Sequence, residues 1–368
     1  MLAEDLLYQI SLGNVPHIGH VHAKLLADVF PSARSIFEAR EETLEKIEGI
    51  GQVRAGSIRR FKDFHKAEKE IVFIQKYAVE PLFLKDPAYP KRLLNCYDPP
   101  TLLYFKGNAD LNTSKIVSIV GTRRNTDYGK SITEKLVEEL SELNVLVVSG
   151  LAFGIDAIAH KAALKNNLQT VGVVGHGLDT IYPPENSDLA REMLRSGGIL
   201  TEFGHDTKPE KHHFPARNRV VAGISDVTVI IESGIKGGSM ITAEIAGSYN
   251  RDVFALPGRI TDAKSAGCNE LIRSNRAVLF NDSTALLEHM GWNEKAKNPL
   301  KAQKELFIPL TENERIIIKL LNEKEFTQID EINMRSSLSS SAIAAALLNL
   351  EMQLVVKSLP GKRYGMIN

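Results

Sequence analysis

Cysteine is scarce in this chain. Two in 368 residues, Cys96 and Cys268, lie too far apart to frame a disulfide fold or a cysteine zinc site, and they suit a reducing, cytoplasmic setting. Net charge is missing as well. Lys+Arg and Asp+Glu each number 45, so no global positive field draws the molecule to nucleic acid, and any such binding must come from a local patch. No apolar run approaches a membrane span. Glu4 and Asp5 stand where a signal peptide needs cations. The Gly-x-x-x-x-Gly-Lys-Ser/Thr phosphate loop, the His-Glu-x-x-His zinc motif and the Gly-x-Ser-x-Gly nucleophile elbow are all absent. What is there, 43% hydrophobic and 24% charged residues, describes a soluble globular protein, long enough for two or three domains.

Residues 1–70 read as short helices with tight turns. Ile47-Glu48-Gly49-Ile50-Gly51-Gln52-Val53-Arg54-Ala55 fits a helix-hairpin-helix, whose glycines allow backbone N–H groups to face a phosphate. Val15 to Ala23 repeats the pattern with His17 in place of the first glycine. The pair reads equally as a compact helical domain. A lead-in segment, 71–114, is punctuated by Pro81, Pro87, Pro90, Pro99 and Pro100 between apolar runs at Val79–Leu84 and Leu102–Phe105.

From there to residue 290 strands alternate with helices. Strands are expected at Ile116–Val120, Val145–Ser149, Thr170–Val174, Ile199–Thr201, Val227–Glu232, Val253–Leu256 and Ala277–Phe280, and helices at Gly129–Leu143 and Ala243–Asn250. That rhythm predicts an α/β domain on a doubly wound, mostly parallel sheet. Residues 291–309 read as a lysine-rich linker. In 310–368, Thr311-Glu312-Asn313-Glu314 is a capping box. Helices around Ile329–Met334 and Ser341–Leu350 and a terminal hairpin complete a winged helix. Its third helix has no lysine or arginine, which makes it a poor groove reader and favours protein contact or regulation.

Open α/β sheets bind ligands at the carboxyl ends of their strands. The segments placed there are Gly121-Thr122-Arg123-Arg124, Ser149 to Asp156 with His160, Gly175-His176-Gly177-Leu178-Asp179, and Gly234 to Glu244. Each is read as opening a helix whose N–H groups and dipole favour an anion. Lys211-His212-His213-Phe214-Pro215-Ala216-Arg217-Asn218-Arg219, in a crossover, adds cations for phosphates and a ring that can stack on an unpaired base. A solvated surface loop is the alternative reading of that segment. Gly175-His176-Gly177 lacks the third glycine and the ribose-binding acid of a dinucleotide fingerprint. Asp156 and His160, one helical turn apart, read as a contact that pins the loop rather than as an acid–base pair. The chemistry looks like binding.

Val120-Gly121-Thr122-Arg123, Ser149-Gly150-Leu151-Ala152 with Gly154-Ile155-Asp156 and Ala159-His160, and Gly175 to Asp179 with Tyr182-Pro183 resemble the DprA/Smf family of DNA-processing proteins. So do Phe214-Pro215-x-Arg217-Asn218-Arg219, Gly238-Ser239-x-Ile241-Thr242-Ala243, and Arg251 through Pro257-Gly258. The resemblance implies a Rossmann-like domain between an N-terminal helix-hairpin-helix (SAM-like) domain and a winged helix. It implies a cytoplasmic, non-enzymatic homodimer without cofactor that binds single-stranded DNA and loads the RecA recombinase in natural transformation. The DNA site it implies comprises Gly121, Thr122, Arg123, Ser149, Gly150, Lys211, Phe214, Arg217, Asn218, Arg219, Gly238 and Ser239. Phe153 departs from the polar residue of many relatives. The rival reading is a nucleoside monophosphate phosphoribohydrolase of the lysine-decarboxylase-like (LOG) family. Gly237, Gly238 and Glu244 align with that family's motif, but Met240 and Ile241 stand where it has a glycine and a threonine.

Overall fold

The computed structural model describes residues 2–292, 310–324, 326–353, 355–359 and 361–366. The chain divides into two units, Met1–Asn293 and Glu294–Asn368. Most of the linker expected at 291–309 lies outside the described residues.

The first unit begins with six helices: α1 (Leu2–Leu12), α2 (His20–Val29), α3 (Ala33–Glu38), α4 (Glu41–Glu45), α5 (Gly51–Arg60) and α6 (His65–Tyr77). The two hairpin motifs are the α1–α2 and α4–α5 turns. Gly49 takes φ +88° and His17, at the matching position, takes φ +67°. The degraded copy therefore keeps the left-handed turn that its glycine would have made easy. Arg54 ties the two turns together: Nε donates to the His17 carbonyl at 3.2 Å and Nη1 to that of Gly49 at 3.1 Å. Helix α6 runs through residue 70, and the helices share one apolar core with the sheet, from Leu12 and Leu26 through Leu82 and Leu103 to Val220.

Strands β1 (Glu80–Phe83) and β2 (Leu102–Gly107), with α7 (Lys91–Leu94) between them, come from the lead-in segment. Then follow β3 (Ile116–Gly121), α8 (Asp127–Leu140), β4 (Leu146–Ser149), α9 (Ile155–Lys165), β5 (Thr170–Val173), α10 (Ser187–Met193) and β6 (Gly197–Thr201). Next come α11 (His213–Ile224), β7 (Val227–Ile231), α12 (Gly238–Ser248), β8 (Asp252–Ala255), α13 (Ala266–Arg273), β9 (Val278–Leu279) and α14 (Ser283–His289). The nine strands lie in the order β1-β2-β6-β5-β4-β3-β7-β8-β9. Strands β3 to β9 are parallel, and β1 and β2 add two antiparallel strands beyond β6. Pro81 sits in β1, an edge strand, where a missing N–H is tolerated.

Alternation along β3 decides the layers. Val117 and Ile119 pack with α8 and α9 on one face, through Leu136, Val137 and Ala159. Ile116 and Val120 pack on the other, with Val220 and Val221 of α11 and Ala243 and Ala246 of α12. Chain order runs outward from β3 to β6 and then returns to β7 on the other side of β3. The connections leaving β3 and β7 therefore diverge to opposite faces, and a crevice opens between them.

His160 of α9 is fully buried in this layer. Its Nδ1 lies 2.7 Å from the Thr170 hydroxyl, which donates to the Val147 carbonyl at 2.9 Å, so the imidazole donates from Nδ1. Nε2 is buried without a partner, and burial pushes the imidazole pKa down to about 3. The unfolded chain takes up this proton near pH 6.5, whereas the folded chain takes it up only near 3. Stability is therefore complete above pH 6.5 and falls, by about 1.4 kcal/mol per pH unit, as the pH drops through that window. In urea titrations between pH 6.5 and 4.5, His160→Asn should lose one proton's worth of this slope. An unchanged slope would show that His160 is protonated in the fold.

The second unit is a winged helix. It contains α15 (Glu312–Leu321), β10 (Thr327–Gln328), α16 (Ile329–Ser336), α17 (Ser340–Met352), β11 (Val356–Leu359) and β12 (Arg363–Met366), with its three strands in the order β10-β12-β11. The capping box forms between Thr311 and Glu314. Ile317, Leu321, Ile332, Ile343, Leu347 and Leu350 make the core. Helix α17 leaves Ala344, Leu348 and Met352 exposed at four-residue spacing, a smooth apolar stripe with no group for reading bases.

Candidate nucleic-acid interface

A cavity of about 270 Å³ fills the crevice between the ends of β3 and β7. Gly121, Thr122 and Arg123 line it after β3, Gly150 after β4, and Ser233 and Gly234 after β7. Phe214, Arg217 and Asn218 of α11 and Gly238, Ser239 and Thr242 of α12 complete the wall. Nine of the twelve residues expected at the site thus come together in one place.

The four loops differ in what they offer an anion. The start of α8 is occupied, because Thr126 accepts from the Gly129 N–H at 3.1 Å and the Glu232 carboxylate accepts from the Thr126 N–H at 2.8 Å. Glu232 also accepts from the Thr126 hydroxyl in a short contact. At α9 the Asp156 carboxylate holds the Ala152 N–H at 3.4 Å. The Gly175–Asp179 loop does not open a helix as expected. Turns and a 3-10 segment, Pro184–Asn186, intervene before α10. At α12 no side chain caps the first turn. Its first turn borders the cavity, with open space around Gly238; the Met240 N–H turns back to the Gly237 carbonyl at 3.1 Å, and the Gly238 and Ser239 N–H groups and the helix dipole are left for an anion.

Arg217 is buried and builds the floor. Its Nη1 donates to the Val173 carbonyl at 2.8 Å and, in a shorter contact, to that of Gly150. Burial lowers its pKa while the Asp156 charge raises it. Burial raises the Asp156 carboxyl in turn, opposed chiefly by Arg217. A Cβ on Gly150 would lie 2.0 Å from Arg217 Nη1 and 2.7 Å from Asp156 Oδ2, so only glycine admits this approach. Asp156 and His160 are not an acid–base pair, since each is spent on a separate structural contact.

Above the floor stands Phe214, half-buried. The guanidinium of Arg123 lies 5.5 Å from its ring centroid and that of Arg217 5.9 Å, within cation–π range. A second hollow of about 90 Å³ shares Arg123, Gly150, Ala152, Phe214 and Arg217 with the first, and adds Phe153, His176, Tyr182 and Pro183. Phe153 and Tyr182 are 43% and 45% exposed, and Tyr182 lies 6.4 Å from Phe214, ring to ring. Two half-exposed rings beside a charged cradle offer faces on which unpaired bases can stack. Sequence reading missed Tyr182 as a site residue, although its place in the motif with Pro183 was visible, and took Phe153 only as a lost polar contact.

Three expected residues are not among those lining the cavity. Ser149 is buried, its hydroxyl donating to the Ile119 carbonyl at 2.6 Å. Lys211 is exposed, two residues before α11. Arg219 is buried and pairs with Glu202 in a short contact and with Asp98 at 3.5 Å, joining α11 to β6's end and to the lead-in segment. Glu244 is also elsewhere, exposed and paired with Arg276 at 3.2 Å.

Comparison with known proteins matches this architecture piece by piece. The model of the DNA recombination-mediator protein A family matches residues 80–291, a helix-hairpin-helix model residues 8–71, and a DprA winged helix model residues 302–362. The chain belongs to the DprA/Smf family of DNA-processing proteins. Protein Smf of Synechocystis sp. is 32% identical over 99% of both chains. DNA processing protein DprA of Streptococcus pneumoniae is 41% identical over 55% of this chain and 72% of its own. The X-ray structure of the pneumococcal protein superposes with a TM-score of 0.65, at 32% identity, over 78% of this chain and 98% of that one. DprA from Helicobacter pylori, whose structure gives insight into its single-stranded DNA binding mode, superposes with a TM-score of 0.52 at 36% identity, over 57% and 95%. No helix among the described residues is long and apolar enough to cross a membrane.

Proposed function

We propose that the crevice between β3 and β7 binds single-stranded DNA and that the protein delivers the strand to a RecA recombinase, as a homodimer. The observation that carries this reading is the Phe214 ring within about 6 Å of two guanidinium groups, with Phe153 and Tyr182 exposed beside it. Phosphates meet Arg123 and the uncapped start of α12, and unpaired bases stack on the rings. A duplex hides its base faces and cannot use them. The binding mode named for the Helicobacter relative supports the same ligand. Membership of a recombination-mediator family supports the recombinase-delivery part of the reading. Strand β9 is the free edge of the sheet, with Val278 and Leu279 exposed, and an uncovered apolar edge suits a self-association surface. Two joined sites raise avidity without new contacts.

Fluorescence anisotropy of a labelled oligonucleotide across a salt series tests the reading. Binding should be selective for single strands and weaken steeply as salt rises. Equal affinity for duplex would remove the base-stacking role. Release of free base from a nucleoside monophosphate would favour the hydrolase reading, which draws on the buried Asp156 lining the cavity but has Glu244 outside the lining and paired with Arg276.

A further inference from the structure

We infer a third strand-binding subsite on the far side of the β3–α8 loop, at Tyr128 and Arg259, which continues the path of an unpaired nucleic acid beyond the central crevice. This inference rests on the single-stranded DNA reading and extends it to residues that no motif or expectation assigned.

A groove of about 710 Å³ lies there, lined by Thr126, Tyr128, Pro257, Gly258, Arg259 and Ser265, with Asp262. Its wall toward the crevice is the loop that follows β3. That loop gives Gly121, Thr122 and Arg123 to the central cavity and leads into Thr126 of the groove. On the other side the two are joined through the backbone, where the Gly267 N–H donates to the Ser233 carbonyl at 2.7 Å. Ser233 lines the crevice, and Gly267 follows Ser265 of the groove by two residues. The groove thus adjoins the described site along the carboxyl edge of the sheet, across the β3–α8 loop.

Its chemistry repeats that of the crevice. Tyr128 is 52% exposed, an aromatic face in solvent. Arg124 and Arg259 are exposed, and neither side chain has an ion pair or hydrogen bond among the described residues. Asp262, the one acid in the lining, already accepts from the Lys264 N–H at 2.9 Å and the Ser265 hydroxyl at 3.4 Å. What lines the groove unspent is one ring and one guanidinium group, Tyr128 and Arg259, with the exposed Arg124 two residues before Thr126 in the adjoining loop. Rings that alternate with cations along one edge, Tyr182 and Phe153, then Phe214 with Arg123, then Tyr128 with Arg124 and Arg259, form a track for a strand whose phosphates and bases recur in register. Structural duties explain none of the three side chains.

Length dependence separates this subsite from the crevice. Affinities of Tyr128→Ala/Arg259→Ala are measured at fixed salt for oligonucleotides of about 4 and about 16 nucleotides, lengths that span single-fold site sizes. The long oligonucleotide should lose about tenfold or more, with a salt slope lowered by about one, while the short one binds as in the parent protein. Tyr128→Phe/Arg259→Lys should restore the long-strand affinity. Equal losses at both lengths, or none at either, would overturn the subsite. So would a change in oligomeric state by sedimentation with both affinities intact, which would assign the groove, with its neighbour Ile260, to a second copy of the chain. If the parent protein binds neither length, the single-stranded DNA reading itself fails, an outcome distinct from all of these.

Discussion

Replacing Arg217 by alanine should unfold the first unit more readily, by about 3–5 kcal/mol, the usual cost of removing one partner of a buried charge pair. For a unit of this size, that corresponds to a melting midpoint lower by about 5–8 °C. The guanidinium pairs the carbonyls of Gly150 and Val173 and faces Asp156. Alanine leaves both carbonyls without a donor and the carboxylate without its countercharge. Burial already raises Asp156 and Arg217 is the largest opposing influence, so in the variant its folded-state pKa rises further above the unfolded value. The variant's deficit should therefore be smaller near pH 5 and grow as pH rises through the carboxyl's folded pKa. Adding Asp156→Asn should recover part of the loss at neutral pH and remove that dependence. Melts of the three proteins at two pH values check this, and an Arg217→Ala protein as stable as its parent would show that the pair does not hold the loop.

Phe214→Ala should have the opposite profile: near-parental stability and a large loss of single-strand affinity. Stacking on one ring contributes about 1–3 kcal/mol per base, roughly 5- to 150-fold in affinity. Arg123→Ala should weaken binding less and lower the salt slope by about one, the mark of a lost phosphate contact. Phe214→Trp should keep most of the affinity. Lys211→Ala should cost no more than a single exposed phosphate contact, since Lys211 stands outside the cavity lining. Anisotropy titrations with circular dichroism as the folding control distinguish these effects. A Phe214→Ala protein with parental affinity would place the bases elsewhere.

Much of the architecture is legible in the residues. Runs such as Ile116–Val120 and Val227–Glu232 can only be strands buried on both faces. Amphipathic spacing between them forces a parallel sheet, and the right-handed crossover then brings every loop after a strand to one edge. The capping box at Thr311 specifies its helix by local chemistry alone. The two antiparallel strands of the lead-in segment were less visible, because prolines interrupt the apolar runs and nothing local says that β2 pairs with β6, nearly a hundred residues away.

The site divides in the same way. Which residues gather in the crevice follows from the order of strands and loops, so Gly121, Thr122, Arg123, Gly150, Phe214, Arg217, Asn218, Gly238 and Ser239 were reachable from sequence. What each one does there was not. Arg217, Arg219 and Lys211 look alike as cations in one polar segment, yet one floors the cavity, one braces Glu202 and Asp98, and one is free in solvent. Helix α11 packs on the sheet beside α12 and against α7, so residues two apart are both enclosed, and the identity of their neighbours depends on chains folded in from residues 98, 150, 173 and 202. Spacing along a chain determines which side chains share a face. Only packing decides whether that face meets a carbonyl, a carboxylate or water, and with it whether a cation holds the fold or waits for a phosphate.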